Sequence, residues 1–281
     1  MSRAGSSRAG SGYADPYAVE LAAAIEIATR AGRLIVERAE RIERIDYKGA
    51  RDVVTDVDHR SEELILEELR RRFPDDAQLA EESGLAAPVT ADGAGPAGSG
   101  RRTWVVDPLD GTINYANRIP IYCVSIALVA GNRPVVGVVH DPVRGETFSA
   151  TADGPARLNG LPIASSSKPL LLDFVIALTL DRSQVASAGP ALAEATRVHR
   201  RLGSSALALA WVGCGRFDAF VQTGNLSAWD VAAAGLIAER AGAQVQRIDG
   251  GPYLDLGLGT SRYGVLAAPE RHFAELRRLV G

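Results

Sequence analysis

Two aspartates three positions apart, Asp107 and Asp110, stand at the centre of residues 104–120, WVVDPLDGTINYANRIP. Residues 103–106 read as a short apolar, β-branched strand that Pro108 is expected to break, and Gly111-Thr112 is expected to open a helical turn with outward-facing N–H groups. Carboxylates so close repel and raise one another's pKa, an arrangement that makes most sense with a divalent cation between them. Hard oxygen donors point to Mg²⁺, which takes one or two carboxylates with water and phosphate oxygens, and a helix start beside it suits the same phosphate. A plainer reading is an Asx-rich turn in which Asp110 caps the helix.

Other acidic residues sit where elements are expected to begin or end. Residues 52–58, DVVTDVD, place three carboxylates ahead of an amphipathic segment carrying Leu64, Ile65, Leu66 and Leu69. This is no EF-hand, because no register supplies both the sixth-position glycine and the twelfth-position glutamate. Glu81-Glu82 follow a short strand at 78–80, and Asp230 precedes an apolar run at 231–241. Each also reads as a cap or a solvated turn residue. Among 31 basic residues only Lys48 and Lys168 are lysines, so a compact ammonium at 48 hints at a task that a planar guanidinium would not fill. Gly203-Ser204-Ser205, ahead of apolar residues 207–212, reads by itself as a helix cap.

The elements that position these groups follow from pattern. Residues 1–12, with a doubled SRAG unit, are expected to be a disordered tail. Asp15 and Pro16 are expected to cap and open a helix running to about Ala39. Runs at 121–129, 134–140 and 146–150 suggest an antiparallel meander, Asn159-Gly160 a hairpin, and residues 86–100 a Gly/Ala/Pro-rich insertion. Residues 165–169, SSSKP, are read as a hinge. It would separate an N-terminal α+β half at 13–168, holding the sheet and most metal ligands, from a C-terminal α/β half at 169–281 that completes the site. In that second half strands are expected at 172–178, 218–222, 243–248 and 263–268, helices at 231–241 and 270–280, and part of a helix at 191–197.

At 281 residues and 46% hydrophobic content the chain can bury a sizeable core. A net charge of −3 gives no basic excess for nucleic acid or anionic membrane, and no apolar run approaches the roughly 20 residues of a spanning helix. The N-terminus lacks the apolar core of a signal peptide, so a soluble cytoplasmic protein is expected. Cys123 and Cys214 lie among apolar neighbours and form no disulfide framework or zinc spacing, and the four histidines have no ligand-like pairing.

Residues 104–120 resemble the first signature of the inositol monophosphatase family, and residues 229–242, WDVAAAGLIAERAG, resemble the second. The resemblance covers nearly everything after the N-terminal tail. It implies the sugar-phosphatase fold, an α/β (α+β) layered sandwich of order αβαβα, with the active site between the halves and a homodimer as the assembly. It also implies roles. Glu81, Asp107 and the Leu109 carbonyl would hold one Mg²⁺, Asp107, Asp110 and Asp230 a second, and a weaker third ion would join at Glu81. Asp58 and Thr112 would orient the attacking water, and Lys48 would approach from a mobile loop. Asp110, Gly111 and Thr112 would meet the substrate's phosphate end, and Gly203, Ser204 and Ser205 its alcohol portion.

The chain departs from the family pattern in two places. One loop residue is missing near Lys48, and Gln222 replaces the glutamate that meets inositol hydroxyls, with one extra residue before Trp229. The implied activity is Mg²⁺-dependent hydrolysis of a small phosphate monoester, an inositol or sugar phosphate. 3′-Phosphoadenosine 5′-phosphate and histidinol phosphate are alternative substrates, and a non-catalytic member acting through protein or RNA contacts is the alternative class.

Overall fold

The computed structural model describes residues 15–39, 45–49, 52–86, 102–256 and 263–281, with backbone only at 45–49, 52–55 and 183. The tail expected at 1–12, the side chains of Lys48 and Asp52, and nearly all of the 86–100 insertion lie outside the described residues.

The chain opens with α1 (Ala18–Arg38), the hairpin β1 (Ile45–Gly49) and β2 (Asp52–Thr55), and α2 (Asp56–Arg72). Helix α1 starts two residues after Pro16. Asp15 accepts the Tyr17 N–H at 2.9 Å and the Thr151 hydroxyl at 2.5 Å, so Asp15 and Pro16 form a lead-in turn rather than the cap itself.

Next come β3 (Ala77–Ala80), β4 (Gly84–Ala86), β5 (Arg102–Asp110), the short helix α3 (Thr112–Ala116), β6 (Cys123–Ala130), β7 (Arg133–Asp141), β8 (Glu146–Thr151), β9 (Arg157–Leu158) and β10 (Leu161–Pro162). Their eight strands form one sheet in the order β10-β9-β8-β7-β6-β5-β3-β4, antiparallel except for β3 beside β5. Pro108 does not end its strand. It lies in a bulge where β5 takes three steps, Asp107 to Asp110, against two on β6, Ser125 to Cys123. A bulge tolerates the missing N–H of proline and re-aims the side chains beside it. Strand β6 also begins later than expected, at Cys123 rather than Ile121.

The second sheet is built from β11 (Val175–Thr179), β12 (Val198–Arg200), β13 (Ala219–Leu226), β14 (Ala243–Arg247) and β15 (Tyr263–Pro269), in the order β12-β11-β13-β15-β14. Between them run α4 (Arg182–Ala195), α5 (Ser205–Val212) and α6 (Ala228–Arg240), and α7 (Glu270–Val280) closes the chain. Two expectations are corrected here. Residues 171–173 form a 3₁₀ turn, so the strand starts at Val175, and the helix that contains Ala191, α4, runs from Arg182 with Pro190 inside it and ends at Ala195, short of Arg197.

Helices α1 and α2 cover the outer face of the eight-stranded sheet, α5 and α6 lie between the sheets, and α4 and α7 cover the far face of the second sheet. This is an αβαβα sandwich. The middle layer explains its composition: α5 is apolar all round and α6 is buried at nearly every position from Ala228 to Ala238, as helices packed on both sides must be. Small residues let the backbones approach. A Cβ on Gly137 of β7 would stand 2.7 Å from the Ala233 carbonyl of α6.

Residues 165–169 carry no regular structure and join the two sheets. Buried Asp218 anchors this segment, accepting the Lys168 ammonium at 2.7 Å, the Ser166 hydroxyl at 2.5 Å and the Val175 N–H at 2.7 Å. Among the described residues no helix is long and apolar enough to cross a membrane.

Gly137→Ala is expected to push α6 off the first sheet and destabilise the fold by about 1–3 kcal/mol, read as a lower urea midpoint at unchanged slope.

Candidate active site

The β5 bulge and the turn after it present a row of polar groups at the edge of the middle layer. Asp107 is 2% exposed, and one of its oxygens accepts the Leu109 N–H at 3.1 Å. Gly111 follows at φ 99°, a left-handed conformation, and a Cβ there would meet the Ile121 carbonyl at 2.9 Å. Glycine is therefore required at this corner. Thr112 then begins α3, its Oγ1 lying 3.0 Å from both Asp58 Oδ1 and the Leu109 carbonyl. Asp58 is buried in the first turn of α2, and Ser61, one turn on, donates to the Pro108 carbonyl at 2.9 Å. These bonds fasten α2 to the bulge.

Asp110 faces the other way, into the start of α5. Its Oδ2 accepts the Ser204 hydroxyl at 2.5 Å and the Ala206 and Leu207 N–H groups at 2.8 and 3.3 Å, and its Oδ1 accepts the Ser205 N–H at 3.0 Å. The first turn of a helix leaves its N–H groups without intrahelical partners, and here a carboxylate from 94 or more residues away in sequence supplies them. Ser204 holds the cap position of α5, but its side chain makes no capping bond and is turned to Asp110 instead. The Cys123 thiol is also within 3.5 Å of Asp110.

Asp230 comes from the first turn of α6, where its carboxylate accepts the Ser227 N–H at 2.6 Å. Carboxylate oxygens of Asp107, Asp110 and Asp230 all lie within 4.8 Å of one another. Glu81, just past β3, adds its charge to Asp107. Burial first, then Glu81, Asp110 and Asp230, push the Asp107 carboxyl well above the usual carboxylate range. Burial also raises Asp110, while the Ser204 hydroxyl and the α5 N–H groups pull it back. A set of all-oxygen donors whose charges so disfavour one another fits a hard divalent cation, whose positive charge removes the repulsion.

The candidate substrate residues gather next to Asp110. Gly203 is at φ 78°, where a Cβ would come within 3.0 Å of the Asn114 amide. Ser205 donates its hydroxyl to Gln222 Oε1 at 3.1 Å, and the Gln222 amide donates to the Gly224 carbonyl at 3.2 Å. Past Gln222 the ladder is irregular: four steps on β13 from Gln222 to Leu226 face two on β15, with Asn225 at φ 64°. A cavity of ≈ 180 Å³ opens beside Ser205 and Gln222, and its wall includes Gly203 and Ser204. A larger one of ≈ 480 Å³ lies at the opposite end of α6, by Glu239 and Tyr253, and shares no residue with the carboxylates. The backbone of Lys48 lies in β1, and its side chain is outside the described residues.

Asn114 was not among the candidates, although it stands in the 104–120 stretch. Its amide donates at 2.8 Å to both the Ile121 and Leu202 carbonyls, tying the α3 turn to the segment that carries Gly203. The available signal was an asparagine two residues into a helix that follows a glycine corner. Its partner at Leu202 is 88 residues away, so spacing alone could not reveal the bond.

Residues 18–280 match the profile of the inositol monophosphatase family. The chain is 36% identical over 263 residues to Nus factor SuhB of Haemophilus influenzae, spanning 90% of this chain and 92% of that protein. It is 39% identical over 248 residues to an inositol-1-monophosphatase of Synechocystis, spanning 84% and 82%. Among solved structures, the extragenic suppressor protein suhB from Bartonella henselae superposes with a TM-score of 0.84 at 29% identity, covering 94% of this chain and 98% of that one.

Asn114→Ala leaves two carbonyls without their donor and is expected to cost about 1–3 kcal/mol, measurable by chemical denaturation.

Proposed function

Because the chain belongs to the inositol monophosphatase family, we propose that it is a Mg²⁺-dependent hydrolase of small phosphate monoesters. The observation that carries this reading is the trio Asp107, Asp110 and Asp230, with carboxylate oxygens within 4.8 Å, beside a Thr112–Asp58 hydrogen bond of 3.0 Å. The first trio would hold charge, and the pair would handle a proton.

Phosphate monoester hydrolysis in water is among the slowest biological reference reactions, so charge neutralisation and in-line positioning must supply most of the acceleration. Mg²⁺, when bound, supplies positive charge to the phosphoryl oxygens and eases the deprotonation of water. Asp107, Asp110 and Asp230, with Glu81 and the Leu109 carbonyl, are the residues that would hold two ions, with a third at Glu81. The Thr112 hydroxyl has one proton to donate. Given to Asp58 or to the Leu109 carbonyl, it leaves Oγ1 lone pairs free to accept from a water and orient it. Asp58, as a carboxylate, takes the proton that the attacking water gives up. Gly111 keeps the corner narrow so that a phosphate can lie against backbone. Gly203, Ser204 and Ser205 border the alcohol side, with Gln222 behind Ser205, and Lys48 belongs to the same reading as an approaching cation. No covalent phosphoenzyme is required. A cytoplasmic location and a homodimer accompany the family reading.

A second reading is a non-catalytic member acting through protein or RNA contacts, and the name of one relative, Nus factor SuhB, keeps a role other than catalysis in view. The complete acidic set speaks for catalysis, and a net charge of −3 speaks against an RNA-binding stripe. Phosphate release from inositol 1-phosphate, fructose 1,6-bisphosphate, histidinol phosphate and 3′-phosphoadenosine 5′-phosphate, with Mg²⁺ or with EDTA, separates the two. Release only with Mg²⁺ is the expected result, and no release from any of them would favour the second reading.

Two variants test the assignment of roles. Mg²⁺ at a hundred times its Kd should stabilise the wild type by about 2.7 kcal/mol. Asp107→Asn should lose both that stabilisation and the activity, while its metal-free form becomes more stable than the metal-free wild type as a buried charge is removed. Asp58→Ala should keep the Mg²⁺-dependent rise in Tm yet turn over roughly 10²–10⁴-fold more slowly. Loss of metal binding with turnover per bound metal intact would remove Asp58 from its role.

A further inference from the structure

The ≈ 180 Å³ cavity beside Ser205 and Gln222 has a wall of unusual charge. Among the described residues Arg200 and Arg201 line it and no acidic side chain does, the other polar groups being Thr179, Ser204, Ser205 and the neutral Gln222 amide. Ser204 and Ser205 belong both to this wall and to the hydrogen bonds around Asp110, so the cavity adjoins the carboxylate cluster on the alcohol side. Its volume is below the roughly 300–1,000 Å³ of drug-sized pockets, which suits a small alcohol.

The two guanidinium groups stand on fixed backbone. Arg200 ends β12, paired with Ala177 of β11, and the Leu202 carbonyl just beyond Arg201 is held by Asn114 at 2.8 Å. Arg200 donates to the neighbouring His199 carbonyl at 2.9 Å. Both are exposed and line the cavity. A glutamate at position 222 would repel an anion entering this space. The glutamine present does not, and its amide still has an N–H to donate.

We infer that the alcohol portion of the substrate carries a second anionic group, which Arg200 and Arg201 receive at the mouth of this cavity. The inference rests on the phosphatase reading above and deepens it. A guanidinium meets a phosphate or a carboxylate with paired N–H donors, so either anion satisfies the chemistry. The substrate class is a phosphate monoester of an acidic or doubly phosphorylated small alcohol, rather than of an uncharged polyol.

The test compares kcat/KM, with Mg²⁺ present, for fructose 1,6-bisphosphate, 3-phosphoglycerate and inositol 1-phosphate, which offer a second phosphate, a carboxylate and no second charge. At least one anionic ester should exceed inositol 1-phosphate by roughly tenfold or more, mainly through KM, as charge-assisted hydrogen bonds allow. The ester that does so identifies the anion. Arg201→Ala and Arg200→Ala should each cut that advantage by roughly tenfold, Arg201→Lys should keep the charge but not the paired donors and so retain only part of it, and Gln222→Glu should lower it. Inositol 1-phosphate turned over as well as both anionic esters, or an equal loss on all three esters in the arginine variants, would overturn the inference and leave the phosphatase standing. No release from any of the three esters would remove the phosphatase reading and the inference together.

Discussion

One carboxylate holds the two sheets in the relation that the site needs. Asp110 ends a strand of the first sheet, yet its oxygens accept the hydroxyl of Ser204 and the leading N–H groups of α5, a helix of the middle layer. Helix ends buried without partners are costly, so docking α5 anywhere else would strand those donors. The same aspartate is one of the three acids whose oxygens lie within 4.8 Å. Fold closure and site assembly are therefore one geometric event, with the β5 bulge setting the angle from which Asp110 reaches across.

The middle layer also answers an electrostatic problem. Buried carboxylates crowd at Asp107, and each disfavours the ionisation of the others. Two helices offer their N-terminal ends here, α5 to Asp110 and α6 to Asp230, and a helix N-terminus carries partial positive charge. That charge offsets part of the repulsion. It falls short of reversing it at Asp107, which accepts the Leu109 N–H, and that shortfall is what a divalent cation would meet.

Much of this was legible in the chain. The carboxylates stood at apparent strand ends and helix starts, the two signature stretches were contiguous, and the layered fold came with the resemblance they carry. Long-range pairings were not. The Asp110 partners begin 94 residues on, and the Asn114 clamp reaches 88 residues, distances at which spacing says nothing. Pro108 misled because a proline usually ends a strand, and only the register against β6 reveals a bulge that accommodates it. The start of α4 was hidden because residues 183–189, SQVASAG, are mostly small and lack the apolar period of a packed helix, and Pro190 reads as a breaker. The bulge between Gln222 and Leu226 likewise shows only in the pairing of β13 with β15.

The order of the layers also bears on how the polypeptide reaches this state as it leaves the ribosome. The eight-stranded sheet is complete in sequence at Pro162, but the face opposite α1 and α2 is covered by α5 and α6, whose last residue is Arg240. At roughly 5–20 residues per second, that apolar face emerges on the order of 4–15 seconds before its cover. Val105, Ala127, Val139 and Phe148, all on strands of that sheet and packed in the central cluster, make up part of the surface left waiting. The nascent chain passes through an interval in which a broad hydrophobic sheet is exposed, and its demand for chaperone protection is greatest then.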